Sequence, residues 1–259
     1  MRLNAATDCL YLGVCRWLLL AALLSFSVSS ELQVTAVRDL RKDFIRRPPL
    51  PLPFLRETRV RALSSVSLDF SAPVVTLIGT SGSGKSTLAK LICGLETPTS
   101  GSIERRCGGR GAYIDPLFYL SYDTSRTTSE VLGRQPTSAA VLRLSDQLSI
   151  PDIRVDSLLT SERRSFEVLL AVSRTSDLSP PLLMLDEYLD KDLSGTLRLF
   201  RETLRLLHVE TGLQTFVVTH SRSVVGVFND DVIALSGGRV FSRSFNGAKM
   251  PYPAELDFI

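Results

Sequence analysis

The sequence predicts an α/β domain, and three stretches carry that prediction. Gly79-Thr80-Ser81-Gly82-Ser83-Gly84-Lys85-Ser86-Thr87 stands between an apolar run, Val74 to Ile78, and a helical pattern set by Leu88, Leu91 and Ile92. Leu182-Leu183-Met184-Leu185 is a second apolar run and ends in Asp186-Glu187; Thr215-Phe216-Val217-Val218-Thr219 is a third and ends at His220. Short apolar runs alternating with helical periodicity describe strands buried on both faces by helices. Polar residues at the ends of such strands describe a ligand-binding edge.

The elements follow in chain order. Residues Trp17 to Val28 form an apolar run preceded by Arg2 and Arg16 and followed by Val28-Ser29-Ser30, which resembles a secretory signal peptide. A run reaching back to Leu10 and interrupted by Arg16 reads instead as a signal anchor. We therefore treat 1–30 as a targeting segment and expect membrane-associated placement, organellar (plastid or mitochondrion) if that segment is the first half of a two-part signal. Leu32 to Ala36 alternates as a strand, and Val66, Leu68 and Phe70 mark a second strand beyond a loop. Inside that loop, Pro48-Pro49-Leu50-Pro51-Leu52-Pro53 forbids helix or central strand and reads as a surface spacer.

Gly94 closes the helix after the glycine-rich loop, and a turn-rich stretch then re-enters a strand at Ile103. From Thr127 to Arg174 the pattern is helical, punctuated by Pro136 and Pro151. A helix from about Leu193 to Leu207 separates the second and third apolar runs. Val232 to Leu235 and Arg239 to Phe241 flank Ser236-Gly237-Gly238 as a hairpin.

Length and composition bound the possibilities. A chain of 259 residues supports one α/β domain with a sizeable core and a small insert. Its formal charge of +3, with scattered arginines, gives no nucleic-acid surface. Cys9, Cys15, Cys93 and Cys107 form no C-x-x-C pair and have no histidine at zinc-ligand spacing, so we expect neither disulfides nor a cysteine metal site.

The glycine-rich loop fits G-x-x-x-x-G-K-[ST]. In that pattern backbone N–H groups of Gly79, Ser81, Gly82, Ser83 and Gly84 wrap phosphates, Lys85 reaches the outer ones, and the Ser86 hydroxyl, beside Thr87, ligates Mg²⁺. The helix that follows points its positive end at the anion. Asp186 and Glu187, about a hundred residues on and at the end of a buried strand, are placed to serve Mg²⁺ and an attacking water.

These residues together carry a specific resemblance. The stretch from Ala62 through the loop and on to Gly94-Leu95-Glu96-Thr97-Pro98-Thr99-Ser100-Gly101-Ser102-Ile103 resembles the opening half of ATP-binding cassette (ABC) ATPases. The resemblance implies a P-loop NTPase fold of ABC type: a mixed sheet, an N-terminal antiparallel β portion and a small helical subdomain at about 116–174. It implies Asp186 in the Mg²⁺ sphere, Glu187 orienting the water that attacks ATP, His220 at the γ-phosphate and Phe44 stacked on adenine. It also implies two partners, a membrane-spanning permease subunit and a second ABC ATPase domain.

Three departures qualify the resemblance. No glutamine occurs between the loop and Glu130, and Asp115 lies nearest the position where the family keeps one. Where the family has Leu-Ser-Gly-Gly-Gln, this chain reads Leu158-Leu159-Thr160-Ser161-Glu162, leaving only a helix start capped by Thr160 or Ser161. Leu235-Ser236-Gly237-Gly238-Arg239 mimics that motif but falls in the hairpin turn. After Glu187, Tyr188-Leu189-Asp190-Lys191-Asp192 offers Asp190 or Asp192 in place of the family's loop aspartate. We therefore expect a domain over 31–245 with a tail at 246–259, acting as the ATP-hydrolysing subunit of a transporter and pairing as a heterodimer with a cassette whose signature is intact. The alternatives are a non-hydrolytic regulatory subunit and a non-transport ABC ATPase.

Overall fold

The computed structural model describes residues 34–46, 57–105, 110–133, 148, 150–175 and 182–245. The expectations for residues 1–33, Pro48 to Pro53, Cys107, residues 134–147 and the tail 246–259 lie outside them. Among the described residues the order is β1 (Val34–Arg46), β2 (Thr58–Asp69), β3 (Val74–Gly79), α1 (Lys85–Ile92), β4 (Ser100–Arg105), β5 (Ala112–Ile114), α2 (Thr128–Leu132), α3 (Thr160–Ser173), β6 (Leu182–Asp186), α4 (Ser194–Thr211), β7 (Gln214–Val218), α5 (Arg222–Val227), β8 (Asp231–Ser236) and β9 (Arg239–Phe245).

The strands form two sheets. A six-stranded sheet runs β5-β6-β7-β3-β8-β9, and a three-stranded antiparallel sheet runs β2-β1-β4. In the larger sheet β5, β6, β7, β3 and β8 pair in parallel, and β9 returns antiparallel along β8. The apolar runs fill this sheet because both faces are covered. On β6, Leu183 and Leu185 pack towards α3, α4 and α5, while Leu182 and Met184 pack on the other face among Leu88, Leu91 and Ile92 of α1. Phe216 and Val218 against Val217 split the same way on β7, as the two-residue side-chain period requires. The antiparallel sheet closes the α1 face with Val34, Val37, Leu40, Leu63, Val66, Leu68 and Phe70. Phe70 meets Phe216 edge-on, ring centroids 5.1 Å apart.

Two expectations are corrected. The first strand does not end near Ala36: β1 continues to Arg46, and β2 begins at Thr58. The ladder between them shifts register three times, and Asp39 (φ 46°) and Ser65 (φ 59°) take left-handed backbone. Each irregularity breaks the alternation by which a strand is read. The long helix also runs a turn further than expected, to Thr211, where Gly212 (φ 70°) closes it and donates to His208 O at 2.7 Å.

A separate, smaller core underlies the helical pieces between β5 and β6. Val131 and Leu132 of α2, Val155, Leu158, and Phe166 and Leu170 of α3 pack together. Thr127 caps α2 through Glu130 N–H, and Glu130 answers to Thr127 N–H.

Candidate functional site

The parallel strands β3, β6 and β7 end on one edge, and the loops leaving them hold the residues picked out in the sequence. The loop after β3 can close only with glycine at two points. A Cβ on Gly79 (φ 150°) would lie 2.3 Å from Leu235 O, and one on Gly84 (φ 101°) would lie 2.7 Å from Ala62 O. Ser83 N–H turns back to Thr80 O at 3.1 Å, and the β8–β9 turn braces the loop by donating Gly238 N–H to Ser83 O at 3.1 Å. Gly84 caps α1 without a side chain, so the cap itself supplies no acceptor for the donors of the first turn.

Lys85 opens α1 and folds over this loop. Its Nζ donates to Gly79 O and Thr80 O, both at 2.9 Å, and burial pushes its ammonium below the ordinary lysine value. The charges of Glu187, Asp186 and Asp190 oppose that shift, so these carboxylates reach the lysine. Ser83 Oγ is buried and, among the described residues, has no hydrogen-bond partner. Ser81 and Gly82 are exposed, and Ser86 and Thr87 are half-buried. Ser86 Oγ donates to Asp186 Oδ1 at 3.2 Å.

The end of β6 is held from three sides. The Tyr113 hydroxyl of β5 donates to Asp186 Oδ2. Burial and this carboxylate raise the phenol well above its usual range, so the bond keeps tyrosine as donor. Glu187 sits at φ 54° with its N–H on Val218 O at 2.9 Å. A non-glycine residue there costs roughly 1–3 kcal/mol, which the bonds around it offset. Its Oε1 lies 2.9 Å from His220 Nε2, which donates when the proton is on that nitrogen. Asp190 ties the two loops together by accepting from the Thr219 hydroxyl and, at 3.0 Å, from His220 N–H.

The start of α3 differs from expectation. Neither Thr160 nor Ser161 caps it. Thr160 is the first helical residue, Leu159 occupies the cap, 67% exposed, and Glu162 Oε2 accepts Leu159 N–H at 2.9 Å. Leucine has no acceptor, so the helix borrows one from its own first turn. Behind it lies a buried polar network that sequence reading missed. The Tyr122 and Tyr188 hydroxyls both donate to Glu167, and Arg164 forks onto both oxygens of Asp192 at 3.0 Å while stacking 3.9 Å over the Tyr188 ring. Asp192 is thus engaged with α3, and Asp190 is the aspartate turned to the His220 loop.

Two further residues have ordinary surroundings. Asp115 is a turn carboxylate, accepting Leu117 N–H at 2.9 Å. Phe44 is 37% exposed on β1 with Lys42 Nζ 4.9 Å over its ring. The β8–β9 turn carries the Leu235-Ser236-Gly237-Gly238-Arg239 mimic, and Gly237 and Gly238 take positive φ there. Thr219 and Tyr113 were also passed over in the sequence. The one available signal for Tyr113 was a polar-tipped residue alternating with Ala112 and Ile114 on a buried strand.

The donor set fits a nucleotide with Mg²⁺. An open helix start, a buried ammonium held among the described residues by loop carbonyls and an orphaned Ser83 hydroxyl belong to one loop and the helix it opens, and Ser86 with Asp186 pairs two hard oxygen ligands there.

Comparison with known proteins points the same way. The ABC transporter family matches residues 63–190. The sulfate/thiosulfate import ATP-binding protein of Rhizobium meliloti (strain 1021) is 31% identical over 227 residues, covering 79% of this chain and 61% of that protein. The zinc import ATP-binding protein of Yersinia enterocolitica is 31% identical over 185 residues, covering 68% of this chain and 71% of that protein. A bacterial ABC transporter cassette solved as a dimer shares the fold at 18% identity, with a TM-score of 0.57 over 81% of this chain and 97% of its own. The chain spans about three fifths, 61%, of the length of the sulfate/thiosulfate import relative.

Proposed function

The chain belongs to the ABC transporter family, and we propose that it binds and hydrolyses ATP to drive a separate membrane-spanning partner. The relatives are named as ATP-binding proteins of import systems, and among the described residues no helix is long and apolar enough to cross a membrane. The reading therefore assigns the membrane passage to another subunit and places this chain at the membrane through it. What is transported follows from that subunit.

The observation that carries hydrolysis is the Glu187–His220 pair. Glu187 is held in strained backbone at the strand end, hydrogen-bonded through its side chain to His220, and its carboxylate is 45% exposed, free to meet a water. In this reading Glu187 accepts the proton of the attacking water, and His220 Nε2–H, which holds that carboxylate before nucleotide enters, turns to the γ-phosphate once it is bound. Lys85 leaves the Gly79 and Thr80 carbonyls for the phosphate oxygens, and the loop N–H groups with the α1 start complete the anion site. Ser86 and Asp186 would hold Mg²⁺, whose chemistry is to neutralise phosphate charge as a Lewis acid. The same reading gives Phe44, 37% exposed, the role of adenine platform. Glu187→Gln keeps the hydrogen bond to His220 but cannot take a proton. We expect ATP binding retained within a few-fold and turnover lost by roughly 100-fold or more, measured as phosphate release beside nucleotide affinity. Unchanged turnover defeats the reading.

We further infer that the working unit is a heterodimer. One related cassette is dimeric, and the start of α3 here presents side chains at Thr160 and Ser161 and a leucine cap. This chain's ATP is then hydrolysed against a partner's intact signature, while the partner's ATP faces a start that cannot approach phosphate and turns over slowly. The same observation favours a second reading, a regulatory subunit that binds ATP without hydrolysing it. Glu187→Gln in the assembled pair separates them, since only the first reading loses turnover.

A further inference from the structure

We propose that Tyr113 is a positioning residue for the metal-bound nucleotide, acting through Asp186; this rests on the nucleotide reading above. Asp186 has two carboxylate oxygens with different partners. Oδ1 takes Ser86 Oγ at 3.2 Å, and Oδ2 takes the Tyr113 hydroxyl. The terminal torsion of an aspartate is broad and nearly two-fold, so without a partner on Oδ2 the carboxylate can turn away from Ser86. The phenol removes that freedom. Oδ1 stays aimed at the Ser86 hydroxyl, and a cation placed between them meets two oxygens already in position.

The tyrosine is itself fixed. Tyr113 pairs with Met184 across β5 and β6, and its ring packs against the core cluster that holds Leu182, Met184 and Cys93. The hydroxyl thus reaches Asp186 from a strand edge set by the sheet, independently of the glycine-rich loop. It also lies on β5, which leads directly into the turn at Asp115 and the 3₁₀ turn Phe118–Ser121, so the metal side of the site is tied to the start of the helical pieces.

Tyr113→Phe removes one hydroxyl and keeps the ring packing. The test is ATP affinity of the full chain by calorimetry, with Mg²⁺ and with EDTA, in a Glu187→Gln background so that no nucleotide turns over. We expect the EDTA affinity unchanged within about two-fold, the Mg²⁺-dependent gain reduced roughly 10-fold or more, and the Mg²⁺ titration midpoint raised by the same factor. An unchanged Mg²⁺-dependent gain overturns the proposal, and so does an equal loss with and without Mg²⁺, which marks a structural role. No Mg²⁺-dependent gain in the chain carrying only Glu187→Gln overturns the nucleotide reading itself and this proposal with it.

Discussion

Two helix starts in this molecule leave their first-turn donors in opposite states. The start of α1 is capped by Gly84 with no side chain, has no acidic residue in its first turn, and sits beside the unpartnered Ser83 hydroxyl. The start of α3 is capped by Leu159, carries Glu162 in its first turn, and spends that carboxylate on its own N–H. One helix leaves its positive end unclaimed and the other neutralises it. By that difference α1 is open to an anion in a way that α3 is not, because a helix N-terminus is available only where nothing in the chain satisfies it first.

The strongest way to break the contrast is to fill α1. Gly84→Ala puts a Cβ 2.7 Å from Ala62 O at a φ of 101°, and we expect about 3 kcal/mol or more of local strain. ATP affinity should fall by more than about 100-fold, since each 1.4 kcal/mol is tenfold; calorimetry and thermal melts read the two effects, and retained binding would show that the loop tolerates a side chain.

Behind α3 the effect is on stability. Glu167 is 2% exposed and answers two tyrosine hydroxyls with Arg164 alongside at 3.5 Å. Glu167→Ala leaves the buried Tyr188 and the half-buried Tyr122 hydroxyls without their acceptor, at a cost of roughly 3–5 kcal/mol by denaturant unfolding. A loss under about 1 kcal/mol would mean that the network is dispensable.

The smallest effect sharpens the comparison. Thr160→Gly with Ser161→Gly gives α3 a start nearer that of α1, at about 1 kcal/mol of helix stability. Turnover of the assembled pair should then rise several-fold; if it does not, the two side chains are not what slows the second site.

The strand ends were legible because each is signalled locally: an apolar run, then a carboxylate or histidine. The α1 start was legible for the same reason, since its glycines, lysine and serine are contiguous. The polar network was not. Tyr122, Arg164, Glu167, Tyr188 and Asp192 meet across as many as 45 positions of sequence, and no pattern along the chain announces such a meeting. The α3 cap was misread because the propensity for threonine or serine at a helix start assumes that the side chain serves as the acceptor, whereas Glu162 serves here. Beyond Ala36, bulges and left-handed residues hid β1 although two of its apolar residues, Val37 and Leu40, are fully buried.

The place of β3 in its sheet has a consequence for synthesis. Its two neighbours are β7 and β8, with Val74 paired to Thr215 and Gly79 to Leu235. When the glycine-rich loop leaves the ribosome, both edges of the strand that carries it are bare, and they stay so for more than a hundred further residues. At ordinary elongation rates that interval is on the order of ten seconds. The nascent chain therefore exposes an apolar, unpaired strand until its last third arrives, and any truncation before residue 214 leaves the glycine-rich loop without the frame that shapes it.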